Sequence, residues 1–213
     1  MKNILPILVL LLAGLVGGCG QASFLVYLFS PENPTTTVEP EYKDLSDATV
    51  AVVIYTSQST QVDHPLVRLA LASVMGTEMK QRLHQVSVID PRTVVKFQDE
   101  TPNWETLPRS QVARTLGADY LLYVVLSEYS TMEPSSLNLY RGQATADVSL
   151  FKAALDEPQC RVWGRETFHV SYPQNTAVGV TASNDEEIAY QTQRLLADLV
   201  VKKFYKHKVP EKS

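Results

Sequence analysis

Cysteine and histidine are scarce in this chain. Its 213 residues include two cysteines, Cys19 and Cys160, and four histidines. Two cysteines allow no disulfide framework, so stability must come from an apolar core. Cys160 lies in a strand-like run, where a single thiol is typical of a small buried residue rather than a nucleophile. The histidines have no metal-ligand spacing and are His64, His84, His169 and His207.

Catalytic and nucleotide-binding motifs are also missing. The chain has no Gly-x-Ser-x-Gly elbow, no His-Glu-x-x-His, no Cys-x-x-Cys and no phosphate-binding loop. A formal net charge of -4 provides no basic field for nucleic acid. The best polar pair, Asp63-His64, is typical of a solvated loop that caps a helix. We therefore predict a protein that is not an enzyme, uses no cofactor or metal and binds no nucleic acid.

The amino terminus has the order of an export signal. Lys2 and Asn3 precede an apolar run over residues 4–16, which ends in Gly17-Gly18-Cys19. A positive start, a hydrophobic segment and small residues before a cleavage point are typical of secretion. We predict a signal peptide over residues 1–18.

The sequence from Val16 to Cys19 resembles the lipobox of bacterial lipoproteins. The resemblance implies cleavage before Cys19, thioether lipidation of its sulfur and acylation of the new amino terminus, for example with palmitate. The alternative is an uncleaved anchor, because residues 24–29 are apolar again and residues 4–29 exceed the ~20 needed to cross a bilayer. Both alternatives predict a membrane-anchored, periplasmic domain in the cell envelope.

The anchor is followed by a stretch with little apolar character. Residues 30–47 contain three prolines, three consecutive threonines and five acidic residues. Such a composition does not bury enough surface to offset its ordering entropy. We predict that residues 19–47 form the lipid anchor and tether, residues 48–208 a single domain, and residues 209–213 a tail.

Nine predicted elements place residues 48–208 in the α/β (α+β) class, with a mixed sheet of about five strands and helices packed on it. Residues 50–55 are apolar on both faces, which predicts a buried strand, and a 3.6-residue period after Pro65 predicts a helix to His84. The remaining predicted elements are a strand at 86–89, helices from Asp90 and at 108–116, strands at 119–128, 139–153 and 160–170, and a helix from a Ser183–Glu186 capping box.

Residues 116–128 resemble a signature of envelope proteins: leucine, Gly-Ala-Asp, an aromatic residue, an apolar run and a glutamate. This signature is similar to that of a group comprising the CsgG-like and LpoB-like lipoproteins and the amino-terminal domain of TolB. The resemblance extends over roughly residues 48–205 and implies a non-catalytic domain that binds another envelope component. Gly117 is expected to end a helix, and Asp119 to hold the turn into the central strand.

The predicted hairpin at residues 130–141 carries large side chains of types that are enriched at interfaces, and we expect several of them to be exposed. Tyr129, Met132, Leu137 and Tyr140 are therefore the predicted partner-binding residues, although Tyr140 could instead begin a strand and pack inward. The main functional hypothesis is a lipid-anchored binding or scaffold lipoprotein with an envelope protein partner. The alternatives are a subunit of an oligomeric envelope transport or secretion assembly and an envelope hydrolase with an unrecognised site.

Overall fold

The computed structural model describes residues 35–210, except Ser135, Leu137, Asn175, Ala177 and Ala182. The predicted signal peptide, Cys19 and the first part of the predicted tether lie outside the described residues, as does the end of the predicted tail.

Five of the strands form one mixed sheet in the order β3-β2-β4-β5-β6, and β1 pairs with β7 in a separate two-stranded sheet. β2 is parallel to β3 and β4, whereas β4, β5 and β6 form an antiparallel meander. The predicted fold class is confirmed. In chain order the strands are β1 (Thr35–Val38), β2 (Thr49–Thr56), β3 (Ser87–Val88), β4 (Tyr120–Met132), β5 (Tyr140–Lys152), β6 (Arg161–Tyr172) and β7 (His207–Pro210).

Helices occupy both faces of the five-stranded sheet. They are α1 (Gln58–Asp63), α2 (Val67–Arg82), α3 (Pro91–Glu100), α4 (Arg109–Thr115) and α5 (Asp185–Val201). One core lies between the sheet and α2 and α5, and a smaller core lies under α3 and α4. Cys160 is buried in the smaller core, as predicted, and burial raises the pKa of its thiol.

Local side-chain contacts explain several helix and strand ends. The Asp90 carboxylate accepts a hydrogen bond from the Arg92 amide, and Pro91 occupies the first turn of α3. Gly117 has a φ of 70° directly after α4, a conformation that favours glycine. Asp119 Oδ2 accepts from the Thr49 amide at 2.8 Å, which joins the starts of β2 and β4. The expected structural roles of Gly117 and Asp119 agree with these contacts.

The start of α5 differs from the prediction by one residue. Asn184, in an extended conformation, accepts a hydrogen bond from the Glu187 amide, so the cap is Asn184 rather than Ser183. Helix α1 was not predicted from the sequence; it begins where the Ser57 hydroxyl accepts a hydrogen bond from the Thr60 amide. A short polar helix has no apolar period to reveal it.

The central hairpin is longer than predicted. β4 continues past Glu128 to Met132, because polar side chains on its outer face do not interrupt backbone pairing with β5. The bulge at Gly164, where φ is 80°, shifts the alternation of β6, so that Trp163 packs against the larger core.

The carboxyl-terminal part of the predicted tether is folded. Residues 39–47 belong to the same compact unit as the domain, and the Leu45 side chain is 1% exposed. The Glu41 amide donates to the Lys203 carbonyl at 2.7 Å, and the Tyr42 hydroxyl donates to that of Tyr120 at 3.2 Å. The predicted domain boundary at residue 48 is therefore wrong, since Tyr42 and Leu45 supply apolar contacts that the acidic composition conceals.

Candidate functional site

The predicted partner-binding residues are not exposed side chains of a hairpin tip. Tyr129, Met132 and Tyr140 are each half-buried, and Leu137 lies outside the described residues. Met132 lies opposite Tyr140, whose backbone exchanges two hydrogen bonds of 2.9 Å with Val180. The expected exposure is therefore wrong, because β4 and β5 extend into the hairpin and a neighbouring loop pairs with it. A role in partner binding stays a prediction for these residues.

Tyr129 instead forms the floor of a groove between two helices. The groove has a volume of about 560 Å³ and is bounded by the first half of α2 and the first half of α5; we call it the α2–α5 groove. Both helices begin at this groove, so their amino-terminal halves form its two walls. The walls are mainly apolar and include Leu66, Val67, Ala70, Val74, Ala189 and Tyr190.

Contacts from both sides hold the Tyr129 ring. The Gln193 amide donates to the Tyr129 hydroxyl at 2.9 Å, and the His64 ring packs edge-on at 4.8 Å between centroids. Burial raises the pKa of the Tyr129 hydroxyl, against the effect of the Gln193 hydrogen bond. The structure therefore places Asp63-His64 beside a predicted binding residue, at a groove rather than in an isolated loop.

Large apolar side chains are exposed at the groove. Leu66, at the start of α2, is 70% exposed, and Tyr190, on the facing wall, is 49% exposed. Val62, the residue before Asp63, is 72% exposed. Single exposed apolar residues are ordinary on protein surfaces, but a contiguous apolar groove is typical of an interaction site.

The charge along the groove is of one sign. Asp63, Asp185 and Glu186 line it, and no lysine or arginine does so within the described residues. The Asp185 carboxylate accepts a hydrogen bond from the Thr131 hydroxyl, which joins α5 to β4. Acidic residues in the first turn of a helix are stabilised by the helix dipole, so Asp185 and Glu186 can remain charged without cationic partners.

Sequence reasoning did not identify Leu66 and Tyr190 as candidate residues. Neither belongs to the set of residues that α2 and α5 bury. The signal available in the sequence was an apolar residue just outside the buried face of each helix. Only the structure shows that the two helices face each other there.

A second cavity lies on the opposite face of the sheet. Its volume is about 470 Å³, and Arg109 stacks on the Tyr123 ring at 4.3 Å there, with its guanidinium also donating to two backbone carbonyls. Arg161 lies over the Phe151 ring at 5.5 Å. Three carboxylates balance three guanidinium groups along this cavity, which gives it no net sign: Glu105, Asp147, Glu157, Arg109, Arg161 and Arg165.

Outward-facing polar side chains form a row across the meander. The Thr145 hydroxyl donates to the Glu128 carboxylate at 2.7 Å and lies 3.1 Å from His169 Nδ1. The backbone positions of these residues are in register across three neighbouring strands. Such cross-strand pairs stabilise a sheet.

Metal-binding clusters and membrane-spanning helices are both absent from the described positions of residues 35–210. No group of three or more His, Cys, Asp or Glu side chains there could hold a metal ion. No helix in the same part of the chain is long and apolar enough to cross a membrane.

No family model and no curated protein matches the chain. Several solved structures are similar to it at low identity. The PelC dodecamer from Paraburkholderia phytofirmans is 11% identical, with a TM-score of 0.42 over 77% of this chain and 94% of that one. Lipoprotein GNA1162 from Neisseria meningitidis is 14% identical, with a TM-score of 0.43 over 72% of this chain and 98% of the other. The LpoB C-terminal domain from Salmonella enterica is 14% identical, with a TM-score of 0.32 over 61% of this chain and 86% of that domain. Such scores are too low to assign a family or a function.

Proposed function

We propose that this protein is a non-catalytic, lipid-anchored lipoprotein of the cell envelope, and that it binds another envelope protein through the α2–α5 groove. The anchor is Cys19, at the end of the lipobox-like sequence. The binding function rests on one observation, the apolar groove in which Leu66 and Tyr190 remain exposed. A partner that covers these side chains gains about 25 cal/mol for each Å² of apolar surface removed from water.

The anchor is tested by metabolic labelling with a fatty acid. Cys19→Ser should abolish labelling and processing, whereas Cys160→Ser should retain both, because the Cys160 side chain is buried in the core. An unmutated protein that takes up no labelled fatty acid and keeps Met1 would show that the anchor is a transmembrane segment.

The binding surface is tested by crosslinking in intact cells. A photoreactive amino acid is placed at Leu66 or Tyr190, with Leu155 as the control, since Leu155 is 39% exposed and lies outside the groove. Mass spectrometry should identify one envelope protein that is crosslinked from the two groove positions and not from Leu155. Identical products from all three positions would contradict the proposal, and products that contain only this chain would favour the oligomeric assembly.

A further inference from the structure

We infer that the α2–α5 groove binds a basic amphipathic helix, in which Lys or Arg residues flank an apolar face. This inference rests on the proposed binding function and adds the chemistry of the partner. Helix binding in a groove between two helices is a common mode of protein recognition.

The spacing of the wall residues fits a helix. Leu66, Ala70 and Val74 repeat at intervals of four along α2 and form one ridge beside the groove. On α5, Glu186 and Tyr190 share that interval, as do Ala189 and Gln193. Rows at this interval form the ridges and grooves by which helices pack at axial distances of about 8–10 Å.

The small side chains at the centre of the groove favour the close approach of a bound helix. Ala70 on one wall and Ala189 on the other project only a methyl group, whereas Leu66 and Tyr190 are large and exposed. A bound helix can therefore place apolar side chains over the two alanines while Leu66 and Tyr190 pack along its sides. The half-buried Tyr129 closes the floor beneath them.

The charge of the rim selects a basic partner. Asp63, Asp185 and Glu186 line the groove without a lysine or arginine, and neither Asp63 nor Glu186 forms an ion pair within the described residues. An anionic membrane surface or an acidic helix would be repelled. A second copy of this chain that presented the same groove would bring like charges together.

The test measures binding of two labelled peptides to the full chain in phosphatidylcholine nanodiscs, with empty nanodiscs as the blank. Both are 18-residue helices with the same leucine face, and their polar faces carry either lysine or glutamate. Fluorescence anisotropy at low salt should show the lysine peptide binding about tenfold more tightly than the glutamate peptide, because the acidic residues of the groove repel glutamate. Raising the salt should reduce this preference.

Two pairs of substitutions separate the charge of the groove from its apolar surface. Asp63→Asn with Glu186→Gln should reduce the preference for lysine about fivefold, since exposed ion pairs each contribute modestly. Leu66→Ser with Tyr190→Ser should weaken binding of the lysine peptide about tenfold or more. The matched controls, Glu100→Gln with Asp156→Asn and Leu155→Ser with Leu199→Ser, should change neither value. Circular dichroism melts verify that each variant is folded.

Three results would overturn the inference. The first is equal or tighter binding of the glutamate peptide, and the second is a preference for lysine that stays near tenfold in the variant Asp63→Asn with Glu186→Gln. The third is self-association of the chain through the groove, measured by sedimentation and abolished by Leu66→Ser. The first two refute the basic partner and leave the proposed function intact, whereas the proposed function fails separately if no other envelope protein is crosslinked at the groove.

Discussion

The two ends of the α2–α5 helix pair differ in how far other parts of the described chain cover them. At the carboxyl-terminal end, residues 39–47 pack against the domain and bury Leu45. The Glu41 carboxylate there accepts hydrogen bonds from Lys203 at 2.9 Å and from the Trp163 indole at 2.8 Å. At the amino-terminal end, no segment of the described chain covers Leu66 in the same way, and the carboxylates at the rim have no cationic neighbours in the groove lining.

The difference shows which apolar and charged groups are covered or paired within the chain itself. The lysines after α5 have partners within the chain: Lys202 pairs with Asp198, and Lys206 pairs with Glu39 at 2.6 Å. Lys203 also contacts Glu166 at 2.6 Å. One end therefore has its apolar and charged groups matched within the chain. At the other end, Leu66 is exposed and neither Asp63 nor Glu186 forms an ion pair within the described part of the chain, which is why we place partner binding there.

The largest expected effect is at the covered end. Leu45→Ala should lower the free energy of unfolding by about 3 kcal/mol, because a fully buried leucine leaves a cavity when truncated. Urea unfolding followed by circular dichroism measures this value. A change below about 1 kcal/mol would mean that residues 39–47 do not pack on the domain in solution.

A smaller loss of stability is expected at the floor of the groove. If both side chains were exposed, as expected from the sequence, Tyr129→Ala with Met132→Ala would leave the melting temperature nearly unchanged. The half-buried ring of Tyr129, its hydrogen bond from Gln193 and its contact with His64 now predict a loss of about 2 kcal/mol for Tyr129→Ala.

The matched variant Tyr129→Phe isolates the hydroxyl. It should cost only about 1 kcal/mol, since the ring contacts remain and one hydrogen bond is lost. Thermal melts of both variants give the comparison. An unchanged melting temperature for Tyr129→Ala would show that the Tyr129 side chain is exposed in solution, as first expected from the sequence.

A still smaller effect is expected at Glu41. The hydrogen bonds from Lys203 and Trp163 lower the pKa of its carboxyl below the ordinary value of 4.5. A lowered pKa means that the carboxylate stabilises the fold above about pH 4.5 and loses this contribution as the pH falls through its folded-state pKa. Glu41→Gln should cost about 1 kcal/mol at pH 7, since the pair is partly exposed.

Urea unfolding of both proteins from pH 7 to pH 3 measures the pH dependence of this contribution. The difference between unmutated protein and Glu41→Gln should shrink toward the acidic end. A difference that stays constant over the range would show that the ionised carboxylate does not stabilise the fold.

The sheet and its helices were predictable because their signals are local. Residues 50–55 are apolar on both faces, and Asp90-Pro91 is a local helix start, so neither depends on distant parts of the chain. The packing of Leu45 was not predictable, because a single leucine among acidic residues gives no period. Its burial depends on a surface formed by elements much later in the chain.

The candidate site was predictable only in part. Tyr129 and the pair Asp63-His64 were noticed separately, one as a hairpin residue and the other as a loop. Their contact requires the parallel pairing of β2 and β4, which brings the end of β4 beside the segment after β2. The spacing of residues along the sequence does not reveal that Tyr129 lies close to Asp63-His64. The position of Tyr190 across the groove depends in addition on how α5 packs.

The smallest expected effect on stability comes from the same substitution at the open end. Leu66→Ala should change the free energy of unfolding by less than about 0.5 kcal/mol, because the side chain is already 70% exposed. The same variant should weaken crosslinking to the partner from position 190, whereas Leu45→Ala at low temperature should leave that crosslinking intact as long as the domain is folded. A loss of stability at Leu66 close to that at Leu45 would show that the groove is closed in solution, and the contrast between the two ends would then disappear.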